Sequence, residues 1–217
     1  VSKKYKVQVT KDHYYEGYDD LNRFISYFYQ IDLVRELRPT SILEIGVGNK
    51  TVANYLKHHG FKVDTCDFDK DLEPDHVADI RELPFEDGSY DAVMACEILE
   101  HIPWEDVEKA LRELHRVTRK HVVISVPSAR ASFEIIFVNR GFPLVGRMIK
   151  RPINHLHIKN PLSSKDKQFS GEHYWEVGTK SYPLKRIRTV LKRYFRISKE
   201  IKPVLDSDHY FFTLEKK

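Results

Sequence analysis

A chain of 217 residues, 41% hydrophobic and 31% charged, has the composition of one folded domain and excludes an intrinsically disordered chain. Two cysteines, Cys66 and Cys96, exclude a disulfide framework, and no apolar run approaches the ~18 residues that a membrane-spanning helix needs. The net charge of +4 is uneven: residues 1–127 hold 17 Lys and Arg against 24 Asp and Glu, whereas residues 128–199 hold 16 against 4.

The chain starts Val-Ser-Lys-Lys-Tyr, without a signal-peptide core. A cytoplasmic, reducing setting is therefore expected, with both cysteines as packing residues. Residues 19–37 place Leu21, Phe24, Ile25, Phe28, Ile31, Val34 and Leu37 at helical spacing, with Pro39 to stop the helix. Ser41–Ile45 is a predicted strand running into the Gly46/Gly48 turn. A helix over Thr51–His59 then closes at Gly60. Further strands are expected at Phe61–Cys66, His76–Ile80, Ala92–Cys96 and His121–Val126, with a helix over Trp104–Arg119 before the last of them. Residues 128–180 read as irregular, basic and rich in Pro, Gly and aromatics. A helix over Tyr182–Tyr194 follows. Strands Phe195–Ile201 and His209–Leu214, joined through Pro203 and Asp206-Ser207-Asp208, form an expected antiparallel hairpin.

Apolar strands alternating with helices predict an α/β fold. The expected architecture is a Rossmann-like, doubly wound sheet of about seven strands, mostly parallel, with helices on both faces and an antiparallel C-terminal hairpin. One domain is expected over 1–217: an N-terminal helix (18–38), a cofactor-binding core (40–127), a basic acceptor-recognition insertion (128–180), and a C-terminal helix and hairpin (181–217).

Three features point to a nucleotide-like cofactor. Gly46-Val47-Gly48 follows a strand, where glycines allow close approach of a ligand to the backbone. Asp67 ends the second strand 23 residues after Glu44, the place where such folds put a carboxylate against ribose hydroxyls; Asp69 is its rival. The third glycine of a dinucleotide site is missing, since Thr51 stands there. Glu44 ahead of the turn would repel a pyrophosphate but suits a cationic or zwitterionic ligand. S-adenosylmethionine, with a sulfonium, an ammonium and no phosphate, fits that charge pattern.

Ile42-Leu-Glu-Ile-Gly-Val-Gly48 resembles motif I of the class I S-adenosylmethionine-dependent methyltransferases. The run Ala78-Asp-Ile-Arg-Glu-Leu-Pro-Phe-Glu-Asp-Gly-Ser-Tyr-Asp-Ala-Val93 is similar to their next landmark, and Glu97-Ile-Leu-Glu-His101 to the segment after strand four. The resemblance covers about residues 40–127. It implies that Glu44 and Gly46 lie by the methionine end, that Asp67 takes the ribose, that Asp79 meets the adenine amine with Ile80 on the ring, and that Cys96 lines the floor. Gly48, Phe68 and Tyr18 complete the expected cofactor set. The family often has a further glycine where this chain has Lys50.

Methyl transfer from a sulfonium is an in-line displacement that asks the protein mainly for alignment. Glu97, Glu100 and His101, with His173 of His173-Tyr-Trp-Glu176, are the candidate catalytic residues. The run resembles that of certain ubiquinone-pathway and small-RNA-end O-methyltransferases, which hold a divalent ion there. Many relatives use it only for capping and packing, and no metal is assigned from the sequence. Tyr14, Tyr15 and Tyr18 read equally as an aromatic cover over the cofactor or as packing.

The insertion carries Arg130, Arg140, Arg147, Lys150, Arg151, His155, His157, Lys159, Lys165 and Lys167 among Phe133, Phe137, Phe142, Phe169, Tyr174 and Trp175. That mixture suits an anionic small molecule, a nucleic acid or a peripheral contact with an anionic membrane, and equally a solvated lid. The expected function is methyl transfer to a small or lipid-linked, anionic acceptor, oxygen favoured. The alternatives are RNA-directed methylation, which a steep salt dependence of binding would reveal, and a non-catalytic cofactor-binding module. A nicotinamide-dependent enzyme is a distant further reading.

Overall fold

A computed structural model describes residues 7–129, 132–138, 153–159, 172–206 and 208–217. In chain order the elements are α1 (Leu21–Leu37), β1 (Ser41–Ile45), α2 (Thr51–His58), β2 (Lys62–Asp67), β3 (His76–Val77), β4 (Tyr90–Cys96) and α3 (Trp104–Val117). There follow β5 (Thr118–Pro127), β6 (Ser132–Val138), β7 (Ile153–Lys159), α4 (Leu184–Tyr194), β8 (Phe195–Ile201) and β9 (His209–Lys216).

The main sheet has seven strands in the order β3-β2-β1-β4-β5-β9-β8. The first five are parallel, while β9 runs antiparallel to both β5 and β8. The expected C-terminal hairpin thus closes one side of the sheet, its second strand lying inward. Alternation along each strand feeds two separate cores. Ile42, Val63, Met94, Val123 and Phe211 pack under α1 and α2, whereas Leu43, Val93, Val122, Ile124 and Phe212 pack under α3 and α4. On α3 the expected stripe of Val107, Ala110, Leu111, Leu114 and Val117 is the buried one.

Helix α1 buries only the C-terminal part of its apolar pattern, where Val34 is buried and Ile31 and Leu37 pack against the core. Its buried side is Ser26, Tyr27, Gln30, Leu33 and Val34, while Leu21, Phe24 and Phe28 are 73%, 55% and 59% exposed. Apolar residues surround this helix, so hydrophobicity alone does not choose its inner face. Polar contacts join the choice: Tyr27 donates its hydroxyl hydrogen to Asp19 Oδ1 (2.9 Å), with Asn49 Oδ1 3.3 Å from the same hydroxyl.

The stretch 128–180 is not wholly irregular. Ser132–Val138 pairs antiparallel with Ile153–Lys159 as a separate two-stranded sheet, in keeping with the β-branched and aromatic content of those runs. Arg130, Arg140, Arg147, Lys150, Arg151, Lys165, Lys167, Phe142 and Phe169 lie outside the described residues. The side chains of Phe133, Phe137, His155, His157 and Lys159 lie outside the description too. Strand β3 is shorter than expected, because the chain turns at Asp79–Glu82. No helix among the described residues is long and apolar enough to cross a membrane.

Candidate functional site

Strand order reverses direction between β1 and β4, and in an open α/β sheet such a switch point leaves a crevice at the strands' carboxyl ends. A cavity of about 610 Å³ opens there. Gly46 takes φ +82°, and a Cβ on it would fall 1.9 Å from Ile98 Cδ1, so the turn requires glycine both for conformation and for space. Lys50 stands at φ +63°, the left-handed conformation that a glycine would take without cost. Its Nζ donates to the Glu73 carbonyl at 2.5 Å. Asn49 Oδ1 accepts from the Thr51 N–H (3.1 Å) at the open start of α2.

All nine residues expected around a cofactor line this one cavity: Tyr18, Glu44, Gly46, Gly48, Asp67, Phe68, Asp79, Ile80 and Cys96. Glu44 is buried, and its Oε2 has no hydrogen-bond partner; burial pushes its carboxyl up to about 8, against a weak opposing pull from Lys57. Asp67 accepts from the Val47 N–H at Oδ2 and from the Asp69 N–H at Oδ1, both at 2.9 Å. Burial outweighs those bonds and holds its carboxyl above the usual range. Burial also raises the pKa of Cys96, leaving it a neutral thiol. Burial opposes ionisation of Asp79 as well, but hydrogen bonds and charge from Arg81 win and keep it below the ordinary carboxylate range.

Of the N-terminal tyrosines, Tyr14 and Tyr18 line the cavity with their rings 5.2 Å apart, and Tyr15 is exposed.

At the other end of the cavity stand Glu97, His101 and His173, with Glu100 fully buried behind them. Segment 172–179 is pinned by backbone bonds, Tyr174 N to Glu100 O (2.8 Å) and Val177 N to Pro127 O (2.9 Å), which bring His173 against His101. Ligand atoms of Glu100, His101 and His173 lie within 4.8 Å of one another. His101 Nδ1 lies 2.6 Å from Gln8 Oε1 and 3.1 Å from Glu172 O, and His173 Nδ1 lies 3.1 Å from Glu176 Oε1. The acceptors at His101 place its ring hydrogen on Nδ1, and His173 likewise has its Nδ1 engaged, by Glu176. Both carboxylate oxygens of Glu100 are buried without a partner, and burial together with the Glu97 charge pushes its carboxyl well up. Burial and the neighbouring His173 hold His101 near 4, hence neutral.

Glu97 differs from Glu100. Its Oε1 accepts from Ser125 Oγ (2.5 Å), and its Oε2 lies 3.0 Å from His209 Nε2. Burial opposes ionisation, yet the His209 charge and these bonds bring Glu97 down to about 2. His209 Nδ1 faces both oxygens of Asp206 at 2.8 and 2.9 Å; burial would lower the imidazole, but the two carboxylates raise it to about 10. The sequence reading missed this carboxylate–imidazolium–carboxylate chain, together with Gln8, Ser125 and Arg81. Asp206-Ser-Asp-His209 carried a signal, but it read only as a turn.

With this geometry the doubly wound fold and its switch-point cavity define a Rossmann-like cofactor domain. Residues 43–126 match the family model described as a methyltransferase domain. Among solved structures, the fold resembles the 1,6-didemethyltoxoflavin-N1-methyltransferase of Burkholderia thailandensis, crystallised with S-adenosylhomocysteine (13% identity, 95% of this chain and 84% of that one, TM-score 0.61). It also resembles magnesium protoporphyrin IX methyltransferase of Synechocystis with bound S-adenosylmethionine (13%, 95% and 90%, TM-score 0.57) and the N-methyltransferase NodS of Bradyrhizobium japonicum (11%, 91% and 89%, TM-score 0.55). The matched segment 43–126 thus marks a methyltransferase domain, and the solved structures that share its fold include ones holding S-adenosylmethionine or S-adenosylhomocysteine.

Proposed function

We propose that the chain methylates an oxygen of a small or lipid-linked acceptor, anionic in its reacting form, with a divalent cation held by Glu100, His101 and His173. One observation carries this reading: two imidazoles and a buried carboxyl without a hydrogen-bond partner converge, while the Nδ1 of each ring is engaged by Gln8 or Glu176. Imidazoles that bind metals are oriented in this way by carbonyl and carboxylate acceptors. The donor set suits Mg²⁺, Mn²⁺ or Zn²⁺, and such an ion would lower the pKa of an acceptor hydroxyl.

S-adenosylmethionine supplies the electrophilic methyl group. The resemblance assigns Glu44 and Gly46 to its methionine end, Asp67 to its ribose, and Asp79 with Ile80 to its adenine. The unpartnered Glu44 oxygen supports the first of these, because an ammonium is the partner it lacks. Glu97, with its two oxygens already engaged by Ser125 and His209, serves as a fixed carboxylate rather than as a base. Residues 128–180, the basic insertion, we assign to acceptor recognition. The free cysteines accord with a cytoplasmic setting.

Metal analysis of the purified protein and turnover after chelation test the proposal. A bound divalent ion is expected, with turnover lost on chelation and restored by adding the ion back, and with cofactor affinity unchanged throughout. Full activity in demonstrably metal-free protein would end it.

A further inference from the structure

We propose that Arg81 is a positioning residue for the nucleoside: its guanidinium fixes the Asp79 carboxylate as the acceptor for the base's exocyclic amine, and so sets the preference for adenine over a 6-oxo purine. This rests on the reading that Asp79 faces the adenine. Arg81 is 7% exposed and does not line the cavity, whereas Asp79 does. The Arg81 Nε donates to Asp79 Oδ1 at 2.8 Å and its Nη2 to Oδ2 at 2.5 Å, a two-pronged pair. The backbone N–H of Arg81 donates to the same Oδ1 at 2.9 Å. On the far side, Nη1 donates to Asp106 Oδ2 at 2.8 Å, tying the guanidinium to the first turn of α3.

Counting acceptor capacity selects the atom that remains for the ligand. Oδ1 accepts two hydrogens from Arg81, which uses both its lone pairs; Oδ2 accepts one and keeps one. A carboxylate clamped at this angle welcomes an N–H donor at Oδ2 and repels a carbonyl oxygen there. Lysine cannot reproduce the clamp, because it offers a point charge without the planar fork. The cofactor wall and α3 are thereby joined through one buried side chain.

The test is calorimetric binding of S-adenosylhomocysteine and of S-inosylhomocysteine, whose 6-position bears oxygen. Wild type, Arg81→Lys and Asp106→Asn are compared as full-length proteins, with thermal melts to verify folding. Wild type is expected to prefer the adenosyl ligand at least tenfold. In Arg81→Lys that ratio falls at least fivefold, and in Asp106→Asn, where the clamp keeps Asp79 but loses its anchor, it falls by less. If Arg81→Lys does not fold, Asp106→Asn decides. No preference in wild type removes the adenine from Asp79 and takes this proposal with it. A strong wild-type preference that folded variants retain unchanged overturns the role of Arg81 alone.

Discussion

Glu44 holds a proton at neutral pH because its carboxylate would be buried without a partner, with a pKa near 8. A cationic ligand group beside it reverses the balance and favours the anion. The sign follows: below about pH 8 the free protein carries the proton, so binding must release it, and affinity rises with pH up to that value. Calorimetry of S-adenosylhomocysteine binding at pH 7, in buffers of different ionisation enthalpy, should show proton release of a substantial fraction of one equivalent. In Glu44→Gln the release should vanish. Equal release in both proteins would mean that another group titrates, and that Glu44 does not meet the ammonium.

Helix α1 carries a stability prediction of the opposite kind from the usual one for phenylalanine. Replacing a buried Phe by a small residue costs about 3–5 kcal/mol. Phe24 and Phe28 are more than half exposed, and their rings lie edge-on to Tyr27 and Tyr29 without entering the core. Phe24→Ser and Phe28→Ser should therefore each change stability by less than about 1 kcal/mol in urea unfolding, the range of ordinary surface substitutions with a small propensity term. A loss near the core value would show that this face is covered. The helix itself was legible from spacing, while its orientation was not, since Tyr27 is held by polar contacts with Asp19 and Asn49 that hydropathy does not register. Strands β6 and β7 were hidden for a related reason: their partners are each other, fifteen or more residues apart in the chain, inside a stretch dominated by charge and turn formers.

At the scale of the whole molecule, the His101–His173 end of the cavity depends on segment 172–179 being fastened to Glu100 and Pro127. Trp175 anchors it, 4% exposed, stacked edge-on against Trp104 at 5.0 Å, with its Nε1–H given to Ile102 O at 3.2 Å. Trp175→Ala should cost about 3–5 kcal/mol of stability. In the protein that remains folded, divalent-ion affinity should fall while S-adenosylhomocysteine affinity stays within about threefold, because Glu44, Asp67 and Asp79 are held by β1, β2 and the turn after β3 (a fold-change set by local strain below about 0.7 kcal/mol). Parallel loss of both affinities would show that the two ends of the cavity are not independently supported.

The glycine-turn half of the cavity wall was readable from the chain alone because its parts sit at strand ends, and strands announce themselves by local apolar runs. Glu44 before Gly46, Asp67 after β2, and Asp79 after β3 follow one another at spacings that the strand–helix rhythm dictates. The opposite half, around Glu97 to His101, was only partly readable. Glu97, Glu100 and His101 share a local run, but their different fates, one clamped by Ser125 and His209 and one left bare, are invisible in it. Sequence alone determined the sheet, the glycine turn and the acids at the strand ends that line the cavity, because backbone propensity and short-range spacing set them. Only the tertiary structure decided which face of α1 turns inward, that His173 comes 72 residues to meet His101, and that His209 closes on Glu97, because long-range backbone pairing makes those contacts and no local pattern encodes the partner.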